Sequence, residues 1–180
     1  MATYIYLPIP TQEMRDFASK LKLGSQYTLS NYFLSGKGKG IARFFSGCLS
    51  GVKPWDELLV ICHGSGGGSN RTGVTRNGTL KAYTPDQLAK VIDSEALTKS
   101  FIDLKLLVCG SAENSALNGA DPFGKRVCAA MKDRDYNRIQ VTGYRGLVST
   151  DGGKISVLRQ GEQGGKYYPA NIPGSYQVYK

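Results

Sequence analysis

The sequence predicts an α/β fold, a three-layer sandwich with a mainly parallel central sheet, in one domain over residues 1–180. Two apolar runs carry the prediction. Glu57-Leu-Leu-Val-Ile-Cys62 and Leu104-Lys-Leu-Leu-Val108 are short and rich in strand formers. They stop at His63-Gly64 and Cys109-Gly110-Ser111, the pattern of strands buried on both faces. Helix signals lie between and after them, and Arg138-Ile-Gln-Val-Thr142 supplies a third strand. Alternation of strand and helix implies right-handed crossovers between parallel strands.

The elements follow in chain order. Thr11 precedes Met14, Phe17, Ala18 and Leu21, an apolar stripe at helical spacing behind a capping residue. Val74-Thr-Arg-Asn77-Gly78-Thr-Leu80 reads as a hairpin, since Asn-Gly supplies the positive φ angles of a tight primed turn. Thr84-Pro85-Asp86-Gln87 is a capping box with Pro at the first helical position, and Leu88, Val91, Ile92 and Ala96 form the apolar face behind it. Asp121-Pro122 opens another helix through Phe123, Val127, Ala130 and Met131. Leu147 to Leu158 reads as a hairpin around Asp151-Gly152-Gly153. The linker-like Gly161-Glu-Gln-Gly-Gly165 lies too near the C-terminus to separate domains.

An apolar content of 41% with 7 Pro and 23 Gly excludes a disordered or collagen-like chain. No apolar run is long enough to span a bilayer, and Met1 to Pro8 has no basic segment followed by a long apolar one. The expectation is a cytoplasmic protein, or one exported without a recognisable signal peptide. Cys48, Cys62, Cys109 and Cys128 lack CxxC spacing and the chain has 1 His, so neither a disulfide framework nor a zinc site is expected. The net charge of +9 is uneven: residues 1–55 carry 7 Lys and Arg against 2 acids, and residues 100–180 carry 11 against 7. Such an excess favours polyanionic partners without choosing among nucleic acid, acidic membranes and phosphorylated small molecules.

In open parallel sheets, functional groups gather beyond the carboxyl ends of the strands. His63 follows one buried run and Cys109 the next, so neighbouring strands would bring a thiol and an imidazole to one sheet edge. The thiolate is the nucleophile, and imidazole both favours it and protonates a leaving group, which suffices for acyl transfer. Taken singly, each residue reads as easily as a hydrogen-bonded loop histidine and a small buried hydrophobe, the reading that suits Cys48, Cys62 and Cys128.

Leu58-Leu-Val-Ile-Cys-His63-Gly64, the Asn-Gly hairpin, the capped helix and Leu104-Lys-Leu-Leu-Val-Cys109-Gly110 together resemble the core of caspase-like (clan CD) cysteine peptidases. That group includes caspases, gingipains, legumains and the self-processing domains of large bacterial toxins. The resemblance covers about residues 57–146, and its His and Cys lie 46 positions apart, close to the roughly 50 of caspases. The caspase pentapeptide is absent, and Val108 stands where the clan often has Ala or Gly. Both departures point to a bacterial-type relative, an effector or toxin-type protease. The resemblance implies Cys109 as nucleophile, His63 as the general acid for the leaving amine, and the backbone N–H groups of Gly64 and Cys109 as oxyanion hole. Tyr144, Arg145 and Gly146 fall where such enzymes line the pocket for the side chain before the scissile bond, and Arg145 there would read an acidic one.

Gly64-Ser-Gly66-Gly-Gly68 also invites a phosphate-binding reading, but Ser69 stands where a dinucleotide fingerprint needs its third Gly. A non-enzymatic alternative is a basic module for nucleic acid or a phosphorylated ligand, using Lys37, Lys39 and Arg43 with Tyr27, Tyr32, Phe33 and Phe44. No recognised nucleic-acid motif is present, so no stable nucleic-acid partner is expected. The expected partner is a protein or peptide substrate, with no required cofactor. The resemblance to toxin self-processing domains adds a polyanionic activator, inositol hexakisphosphate, as a ligand for the same basic residues.

Overall fold

The computed structural model describes the chain except residues 22–25, 31–46, 65–67, 69–70, 77–78, 116–117 and 160–164; for 26–30, 73–76, 79–81 and 151 it describes the backbone only. The Asn77-Gly78 turn and the cluster Tyr32, Phe33, Lys37, Lys39, Arg43 and Phe44 therefore lie outside the described residues, as does the side chain of Tyr27.

The chain is α/β with a mixed, mostly parallel main sheet. Strands β1 (Thr3–Leu7), β2 (Gln26–Ser30), β3 (Glu57–Ile61), β6 (Asp103–Leu107) and β7 (Gln140–Tyr144) run parallel, and β11 (Tyr176–Tyr179) pairs antiparallel with β7. Their order is β11-β7-β6-β3-β1-β2. The hairpin β4 (Thr72–Arg76) and β5 (Thr79–Tyr83) stands apart, and β8 (Leu147–Asp151), β9 (Lys154–Leu158) and β10 (Tyr167–Pro169) form a small antiparallel sheet. Gly152 and Gly153 close the β8–β9 hairpin at φ +55° and +86°, the left-handed pair a two-residue turn needs.

Helices α1 (Gln12–Lys20), α2 (Pro85–Ser94) and α3 (Phe123–Lys132) start as their sequences prescribe, with one difference. The Thr11 hydroxyl accepts the Met14 N–H, and Thr84 and Gln87 form a reciprocal capping box, each contribution worth about 1 kcal/mol. Pro122, at the N-cap of α3, makes no side-chain cap bond. The Gly124 N–H donates instead to the Ser111 carbonyl, which ties this helix to the loop after β6. The third predicted strand is displaced two residues, because the Ile139 N–H bonds the Tyr136 carbonyl and holds residues 136–139 in a turn. No helix among the described residues is long and apolar enough to cross a membrane.

Side-chain alternation divides the buried strands between two cores. Leu58, Val60, Cys62, Leu104, Leu106 and Val108 meet residues of α2 and α3 such as Leu88, Ile92, Phe123 and Val127. Leu59, Ile61 and Leu107 join Met14 and Ala18 of α1, Val157 of β9 and Tyr144 in the second. Residues His63 and Cys109 continue this second row, beneath α1 and β8.

Candidate active site

β3 and β6 are neighbours with Ile61 opposite Leu107, and the Cys62 N–H continues the ladder to the Leu107 carbonyl. Two positions further on, His63 stands beside Cys109. The adjacency that the sequence left open is thus met, and side-chain partners identify the shared face. His63 reaches Glu13 on α1, with Nε2 to Oε2 at 3.1 Å, and Cys109 Sγ accepts the Val148 N–H of β8 at 3.3 Å.

Backbone bonds hold both residues. The fully buried Thr72 of β4 donates its hydroxyl to the His63 carbonyl at 2.6 Å. Beyond Cys109, Gly110 at φ +64° donates its N–H to the Gly146 carbonyl. Ser111 is wholly buried; its hydroxyl donates to the Leu106 carbonyl and accepts the Tyr144 N–H at 2.8 Å. The loop that carries Cys109 is therefore welded to β7 and to the turn before β8.

Gly64 is required by close approach. A Cβ there would lie 2.5 Å from the Cys109 carbonyl oxygen and 3.0 Å from its nitrogen, inside the contact distance of real side chains. The missing Cβ makes room for the backbone of Cys109. Neither the Gly64 nor the Cys109 N–H bonds another backbone group among the described residues.

Burial raises the Cys109 thiol above its ordinary value, and Glu113 adds to the rise. The N–H groups of Val148 and Cys109 itself act in the opposite direction. Cys62 is pushed to about 12 by complete burial, and Cys48 to about 12 by burial and the adjacent Glu95. Burial also raises the Cys128 thiol. Of the four, Cys109 is the one whose sulfur accepts the Val148 N–H of β8, on the sheet face that also carries His63.

The pocket-lining candidates separate. Tyr144 turns its side chain into the second core, Arg145 is exposed, and Gly146 at φ +70° would place a Cβ 1.9 Å from the Leu158 carbonyl oxygen. The Gly146 N–H donates to Glu113 Oε1 at 3.1 Å, while Oε2 is buried with no hydrogen-bond partner among the described residues. Burial raises this carboxyl as well.

Sequence reading missed Glu13, Thr72, Glu113 and the Val148 N–H. One signal could have found Glu13: the segment Thr3 to Leu7 is a strand, so the start of α1 lies beyond its carboxyl end, next to His63. No protein-family model matches the chain, and a search of curated proteins finds no significant match.

Proposed function

We propose that the chain is a cysteine endopeptidase with a caspase-like three-layer fold, cleaving peptide bonds through Cys109 and His63. The observation that carries this reading is the placement of thiol and imidazole at the same end and on the same face of neighbouring parallel strands, beside the Gly64 and Cys109 N–H groups, neither of which bonds another backbone group among the described residues. In this scheme the Cys109 proton passes to His63 Nδ1 as Sγ attacks the scissile carbonyl carbon. The oxyanion takes the Gly64 and Cys109 N–H groups. His63 returns the proton to the leaving amine, and water then hydrolyses the thioester, giving the carboxylate and the free thiol.

Glu13 is the positioning residue in this scheme, holding Nε2 so that Nδ1 faces the sulfur. The substrate strand has a place to lie. With Asp151 opposite Lys154 closing the hairpin, the backbone groups of Val148 and Thr150 point away from β9, toward the thiol side. A peptide paired with that edge would take over the Val148 N–H now on Sγ. Exposed Arg145, next along the chain, is the proposed reader of an acidic side chain before the scissile bond. Inositol hexakisphosphate is the proposed activator, through the basic residues 37, 39 and 43.

The test is cleavage of an unstructured protein substrate, with products mapped by mass spectrometry. Wild-type chain should cut at discrete bonds, with and without inositol hexakisphosphate. Cleavage that survives Cys109→Ala, or alkylation of Cys109 without loss of activity, would overturn the reading.

A further inference from the structure

A second site lies at the opposite end of the same strands. β9 and the β10 end lie over β6 and β7, and with the edge strand β11 they bound an open cavity of about 640 Å³, a volume usual for small-molecule sites. Its floor holds Glu57, Asp103 and Lys105, the exposed Lys154 of β9 also lines it, and Tyr144 and Tyr176 stand in its walls among aliphatic groups such as Ile155 and Val178.

The floor charges do not balance. Glu57 is fully engaged: the Thr3 hydroxyl donates to Oε2 at 3.0 Å, and the Lys105 ammonium bonds Oε1. Among the described residues Asp103 has only Lys105, at 3.8 Å and already committed to Glu57. On the floor two carboxylates share one ammonium, and Lys154, the other cation of the lining, forms no ion pair with either among the described residues, so the local surplus of negative charge belongs to Asp103. Burial and Glu57 both raise its carboxyl accordingly. A polyanion would meet this surplus as repulsion, and a neutral apolar guest would leave it unpaired. An ammonium or guanidinium would complete it, in a cavity also lined by the aromatic residues Tyr144 and Tyr176.

The cavity is also joined to the nucleophile. Tyr144 lines it with its ring, while its N–H bonds Ser111 Oγ and its carbonyl accepts the Ala112 N–H at 3.0 Å. Ile155 lines it from β9 and sits opposite Thr150 of β8, the strand whose Val148 N–H holds Cys109 Sγ.

We propose that this cavity binds a small organic cation, an amine or guanidinium on an apolar body, and that its occupancy alters the reactivity of the Cys109 thiol through β7 and the β8–β9 hairpin. The proposal does not depend on peptidase activity. Its test is a calorimetric and NMR titration of the full chain with agmatine, spermidine and phenethylamine, beside hexanoate and inositol hexakisphosphate, plus iodoacetamide alkylation of Cys109 followed by mass spectrometry.

At least one amine should bind saturably at millimolar concentration or below, shifting the amides of Thr142, Tyr144 and Ile155. Asp103→Asn should weaken it about tenfold, and Val178→Trp, which fills the cavity, should abolish it. Cys109 alkylation should change by about threefold or more at saturation. No binding by any of the three amines, binding indifferent to both variants, or hexanoate or inositol hexakisphosphate shifting the same amides in their place would overturn the site. Binding with unchanged alkylation would overturn the coupling to the thiol.

Discussion

Two rows of side chains run along one face of the sheet, Glu57-Leu59-Ile61-His63 on β3 and Asp103-Lys105-Leu107-Cys109 on β6. Their middles, Leu59, Ile61 and Leu107, are buried and apolar, and both ends are polar. The ends are held in opposite ways. At the carboxyl end, each reactive group is fixed by a different element: His63 by Glu13 and Thr72, Cys109 by Val148. At the amino end, Glu57, Asp103 and Lys105 fix mainly one another. The first draws on separate partners and costs little in stability when one side chain is truncated, whereas the second is a charge balance in which losing one member strands the others.

The largest effects should fall at the carboxyl end, and on activity alone. Cys109→Ala and His63→Ala are each expected to lower kcat/KM for peptide cleavage by about 10³-fold or more. Both should leave the melting temperature nearly unchanged, since neither side chain belongs to the two cores. A melting point many degrees lower would show that these residues are structural and would break the contrast between the ends. Gly64→Ala should damage both properties. Its Cβ, 2.5 Å from the Cys109 carbonyl oxygen, must displace the nucleophile loop, with an expected loss of about 10²-fold in activity and about 1–3 kcal/mol in stability by denaturant unfolding.

How much of this the sequence disclosed follows the same division. Cys109 and His63 are legible because each ends a run of strand formers, and the sheet places strand ends together. The three central strands, α2 and the β8–β9 hairpin are legible by period and turn chemistry. β1 is not, because Thr3-Tyr-Ile-Tyr-Leu7 is brief and runs into Pro8 and Pro10 without a turn signal. With β1 unrecognised, α1 had no place in the sheet order, and Glu13 no route to His63. The short Tyr176-Gln-Val-Tyr179 is likewise defined by its antiparallel pairing with β7, a long-range contact that local pattern does not carry. The amino-end cluster is illegible for another reason: Glu57, Asp103 and Lys105 read as ordinary charges flanking strands until the register sets them side by side.

Lys105→Met tests the amino end. Losing the ammonium leaves two carboxylates facing each other in a partly buried site. Full burial would cost about 3–5 kcal/mol, and the remaining solvent exposure reduces the expected loss to about 2 kcal/mol, read as a fall in melting temperature of roughly 4–8 °C. Cleavage per folded molecule should be retained in the absence of a cavity ligand. A stable Lys105→Met protein would show that the cluster is not interdependent.

Glu13→Gln probes the less buried part of the carboxyl end. Gln keeps a hydrogen-bond acceptor but loses the charge, so kcat should fall about tenfold with KM unchanged, and Glu13→Asp should recover part of the loss. The chain has 1 His, so ¹⁵N NMR of the imidazole is unambiguous: Nε2–H should be the dominant neutral tautomer in wild type and lose that dominance in Glu13→Gln. A tautomer indifferent to the substitution would assign Glu13 to the surface and leave His63 oriented by Thr72 and its strand alone.

The smallest expected effect separates the two ends by sign. Burial raises the Asp103 carboxyl, Glu57 raises it further and Lys105 opposes them, so its folded value lies above the unfolded value of about 3.9. The native state then holds this proton more tightly than the unfolded state, and the Asp103 contribution to stability declines as pH rises from about 4 through the folded value. Asn carries no such liability. Asp103→Asn should therefore raise the melting temperature at neutral pH by about a degree or two, a small gain because the carboxyl is partly exposed, and the gain should shrink toward acid pH as wild-type Asp103 takes up its proton. The reverse result, a lower melting temperature at pH 7 that recovers in acid, would mean that attraction to Lys105 outweighs burial and Glu57 together. The amino end would then be a matched cluster, as well fitted as the carboxyl end, with no surplus charge for a cation to meet.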